Sequence, residues 1–210
     1  MPDPNKQIPM CKFDKKDVTI SAIKTKYEGF FKLDEYHIKH KLFSNKISDE
    51  FTREIFERGD AVVIILYDPV KDKLLLIEQF RVGALRSQKS PWLLEFVAGM
   101  FGKNENPIEV AVRESEEEAG ITIKAENVKY IMKYLSSPGG MSESIYLYWS
   151  TFDSTQVIPG SVYGLDEENE DILLHLVSLE KALALLDEGK IINASTIIGL
   201  QWLALKYKNL

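Results

Sequence analysis

The chain has 210 residues, 45% of them hydrophobic, and a formal net charge of −6 at pH 7. Its length allows one good core with a small extra lobe, and its acidity argues against nucleic acid as the main partner, because a phosphate backbone needs a basic face. A single cysteine, Cys11, excludes an intrachain disulfide and suits a reducing compartment, and no apolar run approaches the length of a membrane span. The polar, proline-rich start MPDPNKQIPM is unlike a signal peptide, so a soluble, cytoplasmic protein with no membrane partner is expected.

Residues 1 to about 12 read as disordered. From Val18 to about Phe56, β-branched and aromatic residues alternate with polar turns, one of them near Ser44–Lys46, and predict an antiparallel meander. That is too few strands for an independent core, so this lobe must pack on the main domain or on a second copy of itself. DAVVIILYD (60–68) is a continuous apolar run, the pattern of a strand buried on both faces. Asp68-Pro69 starts a turn, 73–81 returns as the next strand, and WLLEFVAGM (92–100) leads into a glycine loop. Asn106, Pro107 and Glu109 read as N-cap, first-turn proline and capping-box acid of a helix that Gly120 stops. Its buried arc is expected to hold Ile108, Ala111, Val112, Ser115 and Ala119. Strands at 127–135 and 143–152 are separated by SSPGGMS, and a polar loop runs from about Ser154 to Asp171. A last strand at 172–177 precedes a helix capped by Ser178 and running through Glu188, then an amphipathic helix at 195–207. Strands and helices interleave without regular alternation, which predicts an α/β fold with a mixed sheet sandwiched between helices.

The chemistry gathers on the helix after Pro107. Glu114, Glu117 and Glu118 share one arc, because residues three and four apart lie on one face. A solvated acidic face is the ordinary explanation of such a run. Two costs stand against it: like charges at this spacing cost roughly 0.2–0.5 kcal/mol per pair, and carboxylates in the last turn oppose the helix dipole at roughly 0.3–1 kcal/mol each. A divalent cation removes both. Oxygen ligands without His or Cys beside them favour magnesium, with manganese as substitute, over zinc. His37, His40 and His175 have no metal-ligand spacing, and no Ser–His or Cys–His motif stands out.

Gly99, Glu105, Arg113, Glu114, Glu117, Glu118, Gly120 and Ile121 resemble the Nudix box, G-x5-E-x7-R-E-U-x-E-E-x-G-U, with Ser115 where a bulky apolar residue U is usual. REIFERG (53–59), LLIEQFR (75–81), PWLLEFVAGM (91–100), SSPGG-x-SE (136–143), GLDEENEDI (164–172) and the late NAS-x-I-x-x-LQWL extend the likeness, over nearly the whole chain, to the bacterial ADP-ribose pyrophosphatase subfamily. Pro138, sixteen residues beyond Ile121, matches the proline that marks that subfamily.

The resemblance implies an α/β/α sandwich and a site carried over position by position. The Ala98 carbonyl, Glu114 and Glu118 match magnesium ligands, Glu117 a supporting ligand or contact, and Glu170 a ligand from the acidic loop. Glu168 matches the catalytic base. Phe30, Phe31, Arg53 and Glu54 match residues that reach the substrate of a partner subunit; Arg58, Arg81, Met100, Ser137, Pro138, Gly139 and Glu143 match substrate contacts. Arginines suit this role through bidentate pairing with phosphate oxygens. The residues alone allow plainer roles, such as surface ion pairs of Arg53 and Arg58 with Glu54 and Glu57, or a core position for Phe30. The implied protein is a magnesium-dependent hydrolase that splits ADP-ribose into AMP and ribose 5-phosphate. It would be a homodimer with shared sites, residues 1–56 forming the dimerising β lobe and 57–210 the hydrolase domain. Another nucleoside-diphosphate sugar such as GDP-mannose, or an ADP-ribose sensor that does not cleave, are the alternatives.

Overall fold

A computed structural model describes residues 10–86, 90–102, 104–165, 167 and 169–207. Residues 1–9, where the sequence suggests disorder, lie outside them, and so do Asp166 and Glu168 of the acidic loop. The chain forms two compact units, Met1–Arg58 with Ser137–Ser142, and Gly59–Ser136 with Glu143–Leu210.

In the first unit β1 (Val18–Glu28), β2 (Lys32–His40) and β3 (Phe51–Glu57) form an antiparallel sheet in that order. Val18 lies opposite His40 and Lys32 opposite Glu57. The turn between β2 and β3 falls where the sequence places it: Asn45 takes a left-handed φ of +65°, and the Leu42 N–H donates to the Lys46 carbonyl at 2.7 Å. β1 is exposed along nearly its whole length, with Ile20, Ile23 and Tyr27 at 54%, 50% and 65%. The segment Ser137–Ser142, which the strand pattern did not assign to this lobe, docks on β3. The Phe56 N–H donates to the Gly140 carbonyl at 2.9 Å, and the Ser142 N–H donates to the Phe56 carbonyl at 3.3 Å.

The second unit is built on β4 (Ala61–Asp68), whose eight side chains are all buried. β4 runs parallel to β9 (Ser144–Thr151) and antiparallel to β7 (Val97–Met100). β5 (Lys73–Phe80) pairs with β6 (Trp92–Glu95) and with β11 (Ile172–Val177), and β8 (Lys129–Leu135) closes the far edge against β9. Alternation sends Val62, Ile64 and Leu66 into one core with Val110, Ala111 and Ile121, and Val63, Ile65 and Tyr67 into another with Ala182, Leu200 and Leu203. Helix α1 (Pro107–Glu117) therefore covers one face; α2 (Leu179–Asp187) and α3 (Ala194–Tyr207) cover the other. This is the expected mixed sheet between helices. Each fully buried aliphatic side chain contributes roughly 1.5–3 kcal/mol over its exposed state.

WLLEFVAGM, the lead into the glycine loop, forms two strands, β6 and β7, separated at Phe96, because β6 pairs with β5 while β7 pairs with β4. Two local expectations change. The polar loop holds a two-residue strand, β10 (Val162–Tyr163), on the edge of β11. On α1 the fully buried residues are Val110, Ala111 and Ser115, and Ile108 and Val112 pack only partly. The ends of α1 are as the sequence states. The Asn106 side chain accepts from the Ile108 and Glu109 N–H groups, Glu109 reaches back to the Asn106 N–H, and Gly120 turns the chain at φ +63°. Among the described residues no helix is long and apolar enough to cross a membrane.

Asp68 ends β4 as a buried carboxylate, 4% exposed. Its Oδ2 accepts from the Ser154 hydroxyl (2.7 Å) and N–H (3.1 Å), and its Oδ1 from the Val70 (3.0 Å) and Lys71 (3.1 Å) N–H groups. Burial pushes its pKa up, but the Ser154 and backbone donors outweigh this and hold it below the ordinary carboxylate value. Its stabilisation is therefore complete above the unfolded pKa and is lost as pH falls through the lower folded value. Asp68→Ala strands the buried Ser154 donors and is expected to cost about 1–3 kcal/mol in urea unfolding at pH 7, with a smaller difference from wild type in strong acid. An equal difference at both pH values would contradict this.

Candidate active site

The loop before α1 is shaped by one arginine. Arg113 Nε donates to Glu105 Oε1 (2.8 Å), Nη2 to Glu105 Oε2 (3.1 Å) and to the Met100 carbonyl (3.3 Å), and Nη1 to Glu117 Oε2 (2.8 Å). Nη1 also faces Glu114 Oε1 at 2.7 Å. Glu105 in turn accepts the Gly102 N–H at 2.6 Å. Of the two partners one turn away, Glu117 is taken and Glu109 is left to the capping box. Glu105, a box position with no assigned task in the sequence, is the anchor that bends the loop onto the helix.

Glu114 and Glu118 lie on the face of α1 turned toward β7. The Glu114 carboxylate rests against Gly99, so closely that a Cβ there would overlap it. A side chain at this glycine of the box would therefore push the Glu114 carboxylate from its place. Glu118 is 3% exposed, and its Oε2 accepts the Ala98 N–H at 3.0 Å. Burial, above all, raises the Glu114 pKa to about 7, with the charges of Glu117 and Glu170 adding to it and Arg113 opposing. Burial likewise drives Glu118 well above the ordinary range, helped by Glu114 and Glu170 and opposed by the Ala98 N–H and Arg81. Glu170 is held by the Gln79 amide at 3.3 Å and by its own loop, where Gly164 at φ +112° leaves room for its Cβ.

Among the described residues these carboxylates are not drawn together as a ready ligand cluster. Glu114 is turned to Arg113, and Glu118 to a backbone N–H. The donor set nevertheless fits a hard divalent cation. Three carboxylates, Glu114, Glu118 and Glu170, repel one another in partial burial beside the backbone of Ala98, and a cation with oxygen preference reverses each repulsion.

Arg81 stands next to this group. Its Nε and Nη2 both donate to Glu95 Oε2, at 3.0 and 2.8 Å, and the charges of Glu118 and Glu170 act on it. Gln79 and Glu95, buried at 6% and 4%, were not singled out in the sequence. For Glu95 the mark that could have found it is an acid at the end of an otherwise apolar strand, since its burial demands a partner; Gln79, beside Glu78, carries no such mark.

The remaining expected residues distribute as follows. In the first unit, Phe30 is 88% exposed and so is not core. It meets Phe31 edge-on at 4.7 Å, Phe31 meets Phe56 at 5.2 Å, and the Arg58 guanidinium lies 5.3 Å from the Phe31 ring. Arg53 lies over Phe51 (4.7 Å) and donates to the Thr52 carbonyl (2.7 Å); Arg53 and Glu54 are both exposed. Ser137, Pro138 and Gly139 are exposed on the segment docked to β3. In the second unit, Met100 is half-buried and lends its carbonyl to Arg113, and Glu143, 5% exposed, accepts the Ser136 hydroxyl at 2.8 Å. Glu168 lies outside the described residues.

Binding of the cation is testable without turnover. Titration with Mn2+ followed by its magnetic resonance signal is expected to show Glu114→Gln and Gly99→Ala weakened by roughly tenfold or more, the range for a disturbed ligand shell. Their urea midpoints should stay near wild type. Unchanged affinity in both would remove Glu114 from the ligand set.

The chain matches the NUDIX domain over residues 57–197. It is 46% identical over 198 residues to the ADP-ribose pyrophosphatase of Escherichia coli (strain K12), covering 94% of this chain and 93% of that one. It is 47% identical over 201 residues to the ADP-ribose pyrophosphatase of Haemophilus influenzae, covering 94% and 91%. The GDP-mannose pyrophosphatase of Yersinia pestis is 31% identical over 178 residues, 83% of this chain and 85% of that one. A solved structure titled "Crystal structure of ADP compounds hydrolase" superposes with a TM-score of 0.65 at 21% identity, over 90% of this chain and 96% of that one, a likeness of fold. With the box glycine packed under Glu114 and the NUDIX match spanning most of its length, the chain belongs to the NUDIX family.

Proposed function

We propose that this protein hydrolyses ADP-ribose to AMP and ribose 5-phosphate. The observation that carries the reading is the pair of carboxylates, Glu114 half-buried and Glu118 buried, held against β7, with the charges of Glu170 and Arg81 acting on Glu118. Identity near one half, over nearly the whole chain, with two ADP-ribose pyrophosphatases supports the choice of substrate.

Glu114, Glu118, Glu170 and the Ala98 carbonyl would hold magnesium, with manganese as a substitute, and Glu117 supports them through Arg113. When bound, the cation supplies charge for the pyrophosphate oxygens and lowers the pKa of a water. The chain's own residues do the rest. Glu168 takes the proton from the water as its oxygen bonds to phosphorus, and the bridging P–O bond breaks with its electron pair leaving on the departing phosphate. Arg81 pairs with the charge that develops there. Arg58, Met100, Ser137, Pro138, Gly139 and Glu143 would contact the substrate, and Phe30, Phe31, Arg53 and Glu54 would reach the substrate of a partner subunit.

The similarity to a GDP-mannose pyrophosphatase supports GDP-mannose as the second reading. Release of AMP or GMP from a panel of nucleotide sugars with magnesium separates the two. ADP-ribose is expected to give the highest kcat/KM, and a preference for GDP-mannose would replace the first reading by the second. Binding of ADP-ribose without any cleavage would make the protein a sensor. In the same assay Glu168→Gln is expected to lose roughly 10²–10⁴-fold in kcat. Full activity in Glu168→Gln with a loss in Glu167→Gln would move the base by one residue.

The first unit supports a homodimer, working in the cytoplasm, in which sites are shared. β1 offers Ile20, Ile23 and Tyr27 to solvent, and Phe30 follows them. An obligate dimer would bury on the order of 2,000 Å² or more in total. Mixing Arg53→Ala with Glu114→Gln under subunit exchange is expected to restore activity, because each mixed dimer then holds one site with both defects and one with neither. A protein that sediments as a monomer at full turnover rate excludes the shared site.

A further inference from the structure

We infer that Glu95 and Asn193 are positioning residues that orient Arg81 for the reaction, an inference that rests on the hydrolytic reading above. Arg81 follows directly after β5, and its backbone N–H donates to the Pro91 carbonyl at 2.8 Å, so its Cα is fixed by the pairing of β5 with β6. Its side chain is fixed from β6. Both Nε and Nη2 donate to one oxygen of Glu95, at 3.0 and 2.8 Å. Burial disfavours the Arg81 charge, and Glu95, joined by the charges of Glu118 and Glu170, more than offsets it.

The other Glu95 oxygen, Oε1, accepts Asn193 Nδ2 at 2.8 Å. Asn193 is itself held, since its Oδ1 accepts the Thr196 N–H and hydroxyl, each at 3.1 Å, and its carbonyl accepts the Ile197 N–H at 3.0 Å. Thr196 is fully buried. A relay thus runs from the first turn of α3 through a buried carboxylate to the guanidinium. It gives a task to the asparagine of the NAS stretch, which the reaction itself does not use. No hydrogen bond among the described residues engages Arg81 Nη1. A guanidinium held along its Nε edge keeps that end for phosphate oxygens, whereas a lysine has no second edge to be held by.

A plain structural ion pair would have the same distances, so the test must read orientation. kcat/KM is measured on whichever nucleotide sugar the wild type cleaves, for Glu95→Gln, Arg81→Lys and the double variant. Glu95→Gln is expected to lose roughly 10–100-fold, the range for a residue supporting a reacting group. The double variant should be no worse than Arg81→Lys alone, because orientation matters only when the arginine is there. Asn193→Ser keeps a cap for α3 but loses the donor to Glu95, and should reproduce part of the loss at an unchanged urea midpoint. It also serves if Glu95→Gln fails to fold. Free guanidinium should rescue Arg81→Ala when Glu95 is present, and not when Glu95 is Gln. Independent, multiplicative losses in the cycle, or equal rescue in both backgrounds, would overturn the positioning role while leaving the hydrolase intact. Absence of cleavage by the wild type on every sugar would defeat the hydrolytic reading, and this one with it.

Discussion

Because every side chain of β4 from Ala61 to Asp68 is buried, alternate residues need partners on opposite sides, and the second unit has to supply helices on both. The same burial fixes what lies beside the strand. β7 pairs antiparallel with β4, with Val63 opposite Ala98 and Val62 opposite Gly99, so the backbone of the glycine loop begins against a fully buried strand. α1 packs on the same face through Val110 and Ala111, which brings its acidic arc to β7. The carboxylates are where they are because the core has no other place for the helix. Precision at a site of this kind comes from regular elements more than from loops.

This arrangement puts charge where burial opposes it. Glu118 at 3% exposure has one backbone donor, and Glu114 is squeezed into the space that Gly99 leaves. Asp68 shows the contrasting solution: four donors surround an equally buried carboxylate and lower its pKa. One buried acid is satisfied by the protein and serves the fold; the others are left short of donors and lean toward protonation. The contrast between Asp68, so fully met, and Glu114 and Glu118, so poorly met, is what supports the proposal that the latter take a positively charged ligand.

Most of this was legible in the chain wherever the determinant is local. The ends of α1 follow from Asn106, Pro107, Glu109 and Gly120, each acting within a few residues, and the double burial of β4 follows from its unbroken apolar run. Legibility fails where partners are distant. Nothing in WLLEFVAGM says that the chain changes partner at Phe96, since that depends on where β4 and β5 diverge. The docking of Ser137–Ser142 on Phe56 rests on backbone hydrogen bonds and a Ser142 hydroxyl that donates to Glu57, none of which a strand pattern announces. Val110 escaped because the arc buried by two packed strands is wider than the stripe that averaged periodicity draws. Glu95 and Asn193 stand 98 residues apart, so that only their separate oddities, an acid in an apolar strand and an asparagine before a helix, were on view.

The two arginines of the second unit show how hydrogen-bond accounting separates structure from chemistry. Arg113 is engaged by all three nitrogens: Nε and Nη2 by Glu105, Nη2 also by the Met100 carbonyl, Nη1 by Glu117 and Glu114. An arginine so used cannot turn to a substrate without releasing the loop and helix it joins, and its place in the box is explained by that joining alone. Among the described residues Arg81 is held along one edge, by a carboxylate that is itself anchored at α3. Breaking nothing, it can form a bidentate contact with an anion on its remaining side. Sequence treats both as conspicuous basic residues among acids. Which nitrogens are already spoken for separates an arginine that joins loop to helix, Arg113, from one whose hydrogen bonds leave it able to take the role proposed for Arg81.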